Sequence, residues 1–161
     1  MRISIVTVSD KASRGERDDL GGPAIREALS QLDAEWGDYL VVPDERELIA
    51  AALIRLSQDA DLVLTTGGTG LAPRDVTPQA TRDILDYEVP GIAEVMRAES
   101  VRVTPAGMLS RAVAGVRQGT LIVNLPGSPK AVRETLAVIA PALPHAISTL
   151  KGEVGEHTRP A

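Results

Sequence analysis

The sequence predicts an α/β protein: a three-layer α/β/α domain around a mostly parallel sheet with one antiparallel edge strand. Three observations lead there. Short apolar runs rich in β-branched residues, at Ile3 to Val8, Leu40 to Val42 and Leu62 to Thr66, read as buried strands. Each run is followed by a stretch whose apolar residues recur at helical spacing. Each also ends in turn or capping chemistry, at Ser9, Asp44 and Gly67. Repeated strand–helix alternation favours parallel strands with helices on both faces. The 161 residues have room for one ordinary domain. Residues 1–151 are read as that domain and residues 152–161 as a polar C-terminal tail.

The first strand, Ile3 to Val8, stops at Ser9-Asp10. A long polar loop, KASRGERDDLG, runs from there to Gly21. Loops of that length after a strand are often functional, and a plain solvated loop is the alternative. Gly22-Pro23 opens a helix with Ile25, Ala28, Leu29 and Leu32 on one face. Leu40 to Val42 forms the second strand. Asp44 then precedes the amphipathic pattern Leu48, Ile49, Ala52, Leu53, Leu56, and Asp44 with Glu47 has capping-box spacing. Asp44 is therefore read as an N-cap. It also lies just past the carboxyl end of a strand, where open α/β sheets bind ligands.

The most informative stretch is Leu62 to Thr81, LVLTTGGTGLAPRDVTPQAT. After the third strand, Gly67, Gly68 and Gly70 permit positive φ and close approach of backbone to a ligand. Thr77-Pro78 reads as an N-cap and first helical residue. A strand, a glycine turn and a helix N-terminus in that order make a candidate anion site. Arg74 and Asp75 lie beside it. There is no Gly-Lys-Ser/Thr of a P-loop and no complete dinucleotide G-x-G-x-x-G. With all the turns on one edge of the sheet, Asp10, Asp44, the glycine turn and Asp75 line one candidate cleft.

Ile84 and Leu85 anchor a short helix that Pro90-Gly91 ends, and a further helix runs from about Ile92 to Val103. Pro105 to Arg111 is irregular. Ala112 to Arg117 and Thr120 to Leu125 make a hairpin about Gln118-Gly119, which places an antiparallel strand at or near an edge. Asn124-Leu-Pro-Gly-Ser-Pro129 is a second glycine-containing turn after a strand, with Ser128-Pro129 opening a helix through Val132, Leu136, Ile139 and Leu143. Pro141 and Pro144 divide that helix.

Composition removes whole classes of function. A net charge of −5 without any Lys/Arg run argues against nucleic acid or an anionic membrane as partner. With no cysteine and two histidines, thiolate and His-rich metal centres are excluded, which leaves a hard cation on carboxylates and phosphates. Aromatic residues are only 2% of the chain, too few for base-stacking platforms. The N-terminus is too short and polar for a signal peptide, and no run approaches the ~20 apolar residues of a membrane span. A cytoplasmic protein is expected.

TTGGTGLAPRDVTPQAT, together with SDKASRG, PDE, MLSRAVAGVR and NLPGSPKAV, resembles the MogA/MoaB family of molybdopterin adenylyltransferases, from about Ile3 to Lys151. The resemblance implies the molybdenum cofactor biosynthesis protein fold, usually a homotrimer, with a hexamer as the alternative. It implies activation of molybdopterin by MgATP to give adenylated molybdopterin and pyrophosphate, with the molybdenum-insertion enzyme as a further partner. The family's essential aspartates fall on Asp44 and Asp75, the expected catalytic residues and Mg²⁺-ligand candidates, of which one holds the Mg²⁺ on ATP and the other orients the pterin or its phosphate. Its pterin-site serine falls on Ser110, its glycine turn on Gly67, Gly68, Thr69 and Gly70, and its second ligand loop on Asn124, Pro126, Gly127 and Ser128. Ser9, Asp10, Thr66 and Arg74 complete the expected substrate-binding set, with Arg14 a further candidate for phosphate contact. The alternative is a protein of the same fold that binds molybdopterin without adenylating it.

Overall fold

A computed structural model describes residues 1–153. Most of the expected tail, 152–161, lies outside the described residues. Six strands form one sheet: β1 (Arg2–Val8), β2 (Glu35–Val42), β3 (Leu62–Thr66), β4 (Tyr87–Glu88), β5 (Ala114–Arg117) and β6 (Thr120–Leu125). Their order is β2-β1-β3-β6-β5-β4. β2, β1, β3 and β6 are parallel neighbours, while β5 runs antiparallel to both β6 and β4. The antiparallel strand expected at or near the edge is thus next to it, with two-residue β4 beyond. β2 is longer than its apolar run because it is the opposite edge. Much of it faces solvent, so its amino-terminal half lacks the continuous apolar signal of a buried strand.

Strand pleating sends alternate side chains to two separate cores. Ile3, Ile5, Leu62, Leu64, Leu121 and Val123 pack with α2 (Gly21–Ala28), α5 (Pro90–Val103), α6 (Pro129–Ile139) and α7 (Leu143–Leu150). Val6, Val8, Val63 and Ile122 pack on the other face with α3 (Arg46–Leu56) and α4 (Thr77–Arg82). This is the three-layer arrangement. The proline-divided helix is also present, as a 3₁₀ turn at Ala140–Ala142 between α6 and α7. A further 3₁₀ turn, Pro105–Leu109, occupies part of the irregular segment, and α1 (Asp10–Ser13) adds one helical turn inside the long loop after β1.

Two expected caps are not made. Asp44 does not cap α3: Glu45 holds the N-cap position, no side chain caps it, and the Asp44 carboxylate points elsewhere. Thr77 is the first residue of α4 rather than its cap. Its hydroxyl donates to the Gly67 carbonyl at 2.9 Å and its N–H to the Gly68 carbonyl at 3.1 Å, so it folds back onto the glycine turn. In both cases a partner distant in sequence outcompetes the local hydrogen bond. Ser128 does cap α6, accepting from the Ala131 N–H at 3.3 Å with Pro129 next in line.

Candidate active site

From β1 the chain crosses outward to β2, then returns past β1 to β3, using α2 on one face and α3 on the other. The strand order therefore reverses between β1 and β3, and the carboxyl ends of those strands flank a natural crevice. A cleft of about 690 Å³ opens there, lined by Ser9, Asp19, Gly21, Thr66, Gly67 and Ser128 among others. A second cavity of about 260 Å³ lies between the glycine turn, α5 and α6, with Thr69, Gly70, Ser110 and Pro126 in its wall. Gly67 and Gly127 face the first space, and Gly70 and Pro126 the second. The two glycine loops thus form the partition between two cavities.

That partition needs glycine. Gly67 and Gly68 have φ of +100° and +64°. A Cβ on Gly67 would collide with the Val8 carbonyl oxygen, and one on Gly68 with the Thr77 hydroxyl. A Cβ on Gly127 would sit 3.4 Å from the Gly67 Cα, so the loops meet backbone to backbone. The Thr66 hydroxyl donates to the Pro126 carbonyl at 2.7 Å and fastens them together.

Carboxylates gather on the same turn. The Asp10 N–H donates to Asp44 Oδ2 at 2.8 Å, and the Asp44 N–H to Asp10 Oδ1 at 3.0 Å. Arg74 forks onto Asp10 at 2.9 and 2.7 Å. The Asp44 Oδ1 lies 3.1 Å from where a Gly68 Cβ would be, and the Asp75 Oδ2 lies 2.9 Å from the equivalent point on Gly70. Asp44 and Asp75 therefore flank one turn at positions two residues apart. Asp75 is held by its own loop, accepting from the Ala72 N–H at 3.0 Å. Burial pushes the Asp44 carboxyl above its ordinary range, with the nearby charges of Asp10 and Asp75 adding to the effect. The Arg74 fork holds Asp10 below its ordinary range.

Most expected site residues line one of the two cavities or the turn between them. Asp10, Asp44, Arg74 and Asp75 line neither cavity and gather beside the turn, and Asn124 sits apart from both. It is fully buried, donates to the Thr65 and Thr81 hydroxyls at 3.1 and 2.9 Å, and accepts from the Val113 N–H at 3.3 Å. The pleat turns it inward toward α4, where it braces β3, β6 and α4. The Ser9 hydroxyl caps α1 while lining the larger cleft. Ser110 accepts from the Ala112 N–H at 3.4 Å at the second cavity. Arg14 pairs with its near neighbour Glu16.

Two residues at the site went unmarked in the sequence. Asp19 accepts from the Gly21 and Gly22 N–H groups and from the Thr7 hydroxyl, at 2.9, 3.3 and 2.8 Å. Its signal was an aspartate placed just before a Gly-Gly-Pro helix start. Arg111 donates to the carbonyls of Gly70 and Asp75 at 2.7 and 2.6 Å. Its only signal was its place directly after Ser110.

Among the described residues no group of three or more acidic or histidine side chains is placed to hold a metal on its own. The available donors, Asp44 and Asp75, are oxygen ligands that suit a hard cation shared with phosphate oxygens. Also among the described residues, no helix is long and apolar enough to cross a membrane.

Known proteins resemble this chain over most of its length. Residues 4–145 match the family described as probable molybdopterin binding domain. The molybdopterin adenylyltransferase of Helicobacter pylori strain J99 is 44% identical over 156 residues, covering 94% of this chain and 89% of that protein. The crystal structure of the molybdopterin biosynthesis enzyme MoaB from Thermus thermophilus superposes with a TM-score of 0.89 at 55% identity, covering 94% and 96% of the two chains. That of the tungsten cofactor synthesizing protein MoaB from Pyrococcus furiosus gives 0.85 at 37% identity, covering 94% and 95%. The chain therefore belongs to the molybdopterin-binding MogA/MoaB family of molybdenum cofactor biosynthesis.

Proposed function

We propose that this protein is a molybdopterin adenylyltransferase. A phosphate oxygen of molybdopterin attacks the α-phosphorus of ATP, the bond from that phosphorus to the bridging oxygen breaks, and pyrophosphate leaves. The nucleophile belongs to the substrate, so the protein must position two polyanions and stabilise developing charge. The observation that carries the reading is the pair Asp44 and Asp75 flanking a positive-φ glycine turn that divides two cavities.

Each part of the site has a role in this reading. The larger cleft takes the nucleotide, between Ser9, Thr66, Gly67, Gly127 and Ser128. The smaller cavity takes the pterin, at Ser110 beside Thr69, Gly70 and Pro126. Backbone N–H groups of the Gly67 to Gly70 turn contact phosphate where the two spaces meet. Arg74, paired with Asp10 in the free protein, exchanges that partner for phosphate. Asp44 and Asp75 would hold Mg²⁺, which supplies charge neutralisation at phosphate oxygens. The fit is supported by geometry: both carboxylates flank one turn, at Gly68 and Gly70, and offer the oxygen donors a hard cation takes. The same family reading makes the protein a cytoplasmic homotrimer that delivers its product to a molybdenum-insertion enzyme.

The test is pyrophosphate release on mixing the protein with MgATP and molybdopterin. Stoichiometric molybdopterin binding without pyrophosphate would instead make the chain a binding protein of the same fold.

A further inference from the structure

The segment from Gly70 to Asp75 carries one of the two site carboxylates, yet it belongs to no helix or strand, and Leu71 to Arg74 are exposed. Its internal bonds, Ala72 N–H to Asp75 Oδ2 and Asp75 N–H to the Ala72 carbonyl, shape the loop without fixing it to the domain. Arg111 fixes it. The guanidinium Nε donates to the Gly70 carbonyl at 2.7 Å and the terminal nitrogen to the Asp75 carbonyl at 2.6 Å. One planar fork therefore bridges the two ends of the loop. The Arg111 main-chain N–H also donates to the Thr69 carbonyl at 2.9 Å. The preceding residue is Ser110, in the wall of the smaller cavity.

We propose that Arg111 is a positioning residue for adenylyl transfer: it sets Asp75 against the glycine turn and ties that turn to the Ser110 cavity. The proposal rests on the adenylyltransferase reading above. Two features favour it over a general stabilising role. The fork spans carbonyls five residues apart, which the planar guanidinium can join and a lysine ammonium cannot match in one geometry. Arg74, on the same loop, has its charge neutralised by Asp10, whereas among the described residues the Arg111 side chain bonds to carbonyls and forms no ion pair. Its fork is therefore spent on the two ends of the loop rather than on a carboxylate.

The test uses Arg111→Lys and Arg111→Ala in the full chain, with three readouts: circular dichroism for fold, amide hydrogen exchange across residues 70–76, and steady-state pyrophosphate release. Arg111→Lys should keep the wild-type spectrum and exchange faster only at that loop. Its kcat should fall on the order of 10²-fold, the scale expected for a misplaced group, with KM for ATP within about twofold. Added guanidinium should restore part of the loss in Arg111→Ala. Unchanged loop exchange or near-normal kcat in Arg111→Lys would overturn the proposal. So would a rise in KM alone, which would mean direct phosphate binding. Collapse of the fold in both variants would overturn it too, since Arg111 would then serve the fold alone. A wild-type protein that releases no pyrophosphate refutes the adenylyltransferase reading instead, and loop exchange still decides whether Arg111 holds the segment.

Discussion

Asp10 and Asp44, 34 residues apart in sequence, each accept the other's backbone N–H, at 2.8 and 3.0 Å. This reciprocal pair locks the end of β1 to the end of β2 and brings two carboxylates side by side. Like charges so close are unfavourable unless something offsets them. Arg74 does this for Asp10. Asp44, partly buried and beside Gly68, is left to bear the cost.

That cost gives the first prediction. The folded-state pKa of Asp44 is raised above its ordinary 3.8. Between those two values the folded protein keeps the proton that the unfolded chain has released, so stability falls as pH rises through that window. Asp44→Asn keeps an oxygen for the Asp10 N–H and removes the charge. It should melt above wild type near neutral pH, and the advantage should shrink as the pH falls through that window toward 3.8. Turnover should drop by about 10²-fold or more as the charge is lost from the site. Thermal melts at several pH values alongside pyrophosphate release check both parts. A variant less stable than wild type at neutral pH would show that the pair is a simple structural clasp.

Asp75 separates chemistry from loop structure more directly. Asp75→Asn retains an acceptor for the Ala72 N–H, so the spectrum and melting temperature should stay near wild type. Adenylation should fall about 10²-fold. Near-normal turnover would remove Asp75 from the reaction.

The glycine turn predicts a ranking. A methyl on Gly67 meets the Val8 backbone oxygen, which β1 holds rigidly, at φ +100°. A methyl on Gly68 meets side-chain oxygens of Thr77 and Asp44 rather than backbone, at the smaller φ of +64°. Gly67→Ala should therefore cost about 3 kcal/mol or more, and Gly68→Ala about 1–2 kcal/mol. Denaturant melts measure the difference, and the opposite order would contradict the geometry.

Asn124 is predicted to act on stability alone. Asn124→Ala strands the buried Thr65 hydroxyl and the Val113 N–H and takes one of two partners from the Thr81 hydroxyl, for about 2–4 kcal/mol. The folded fraction should retain wild-type KM for both substrates. A raised KM with unchanged melting would return Asn124 to the ligand set.

The strand–helix alternation, the shared carboxyl edge and the positive-φ glycines were all legible in the chain because each depends on local rules: side-chain periodicity and the conformational freedom of glycine. Asp44, Asn124 and Arg111 were decided elsewhere. Asp44 looked like a helix cap until β1 supplied Asp10 as a nearer partner. Asn124 found its partners, Thr65 and Thr81, only when the pleat faced it toward α4. Arg111 carried no marked role until folding laid it against carbonyls 41 and 36 positions away. Local preferences are worth about 1 kcal/mol and were written in the sequence. The assignment of polar side chains to distant partners was set only when the sheet assembled, because burial makes every unpaired polar group costly and forces each to take the partner that tertiary packing provides.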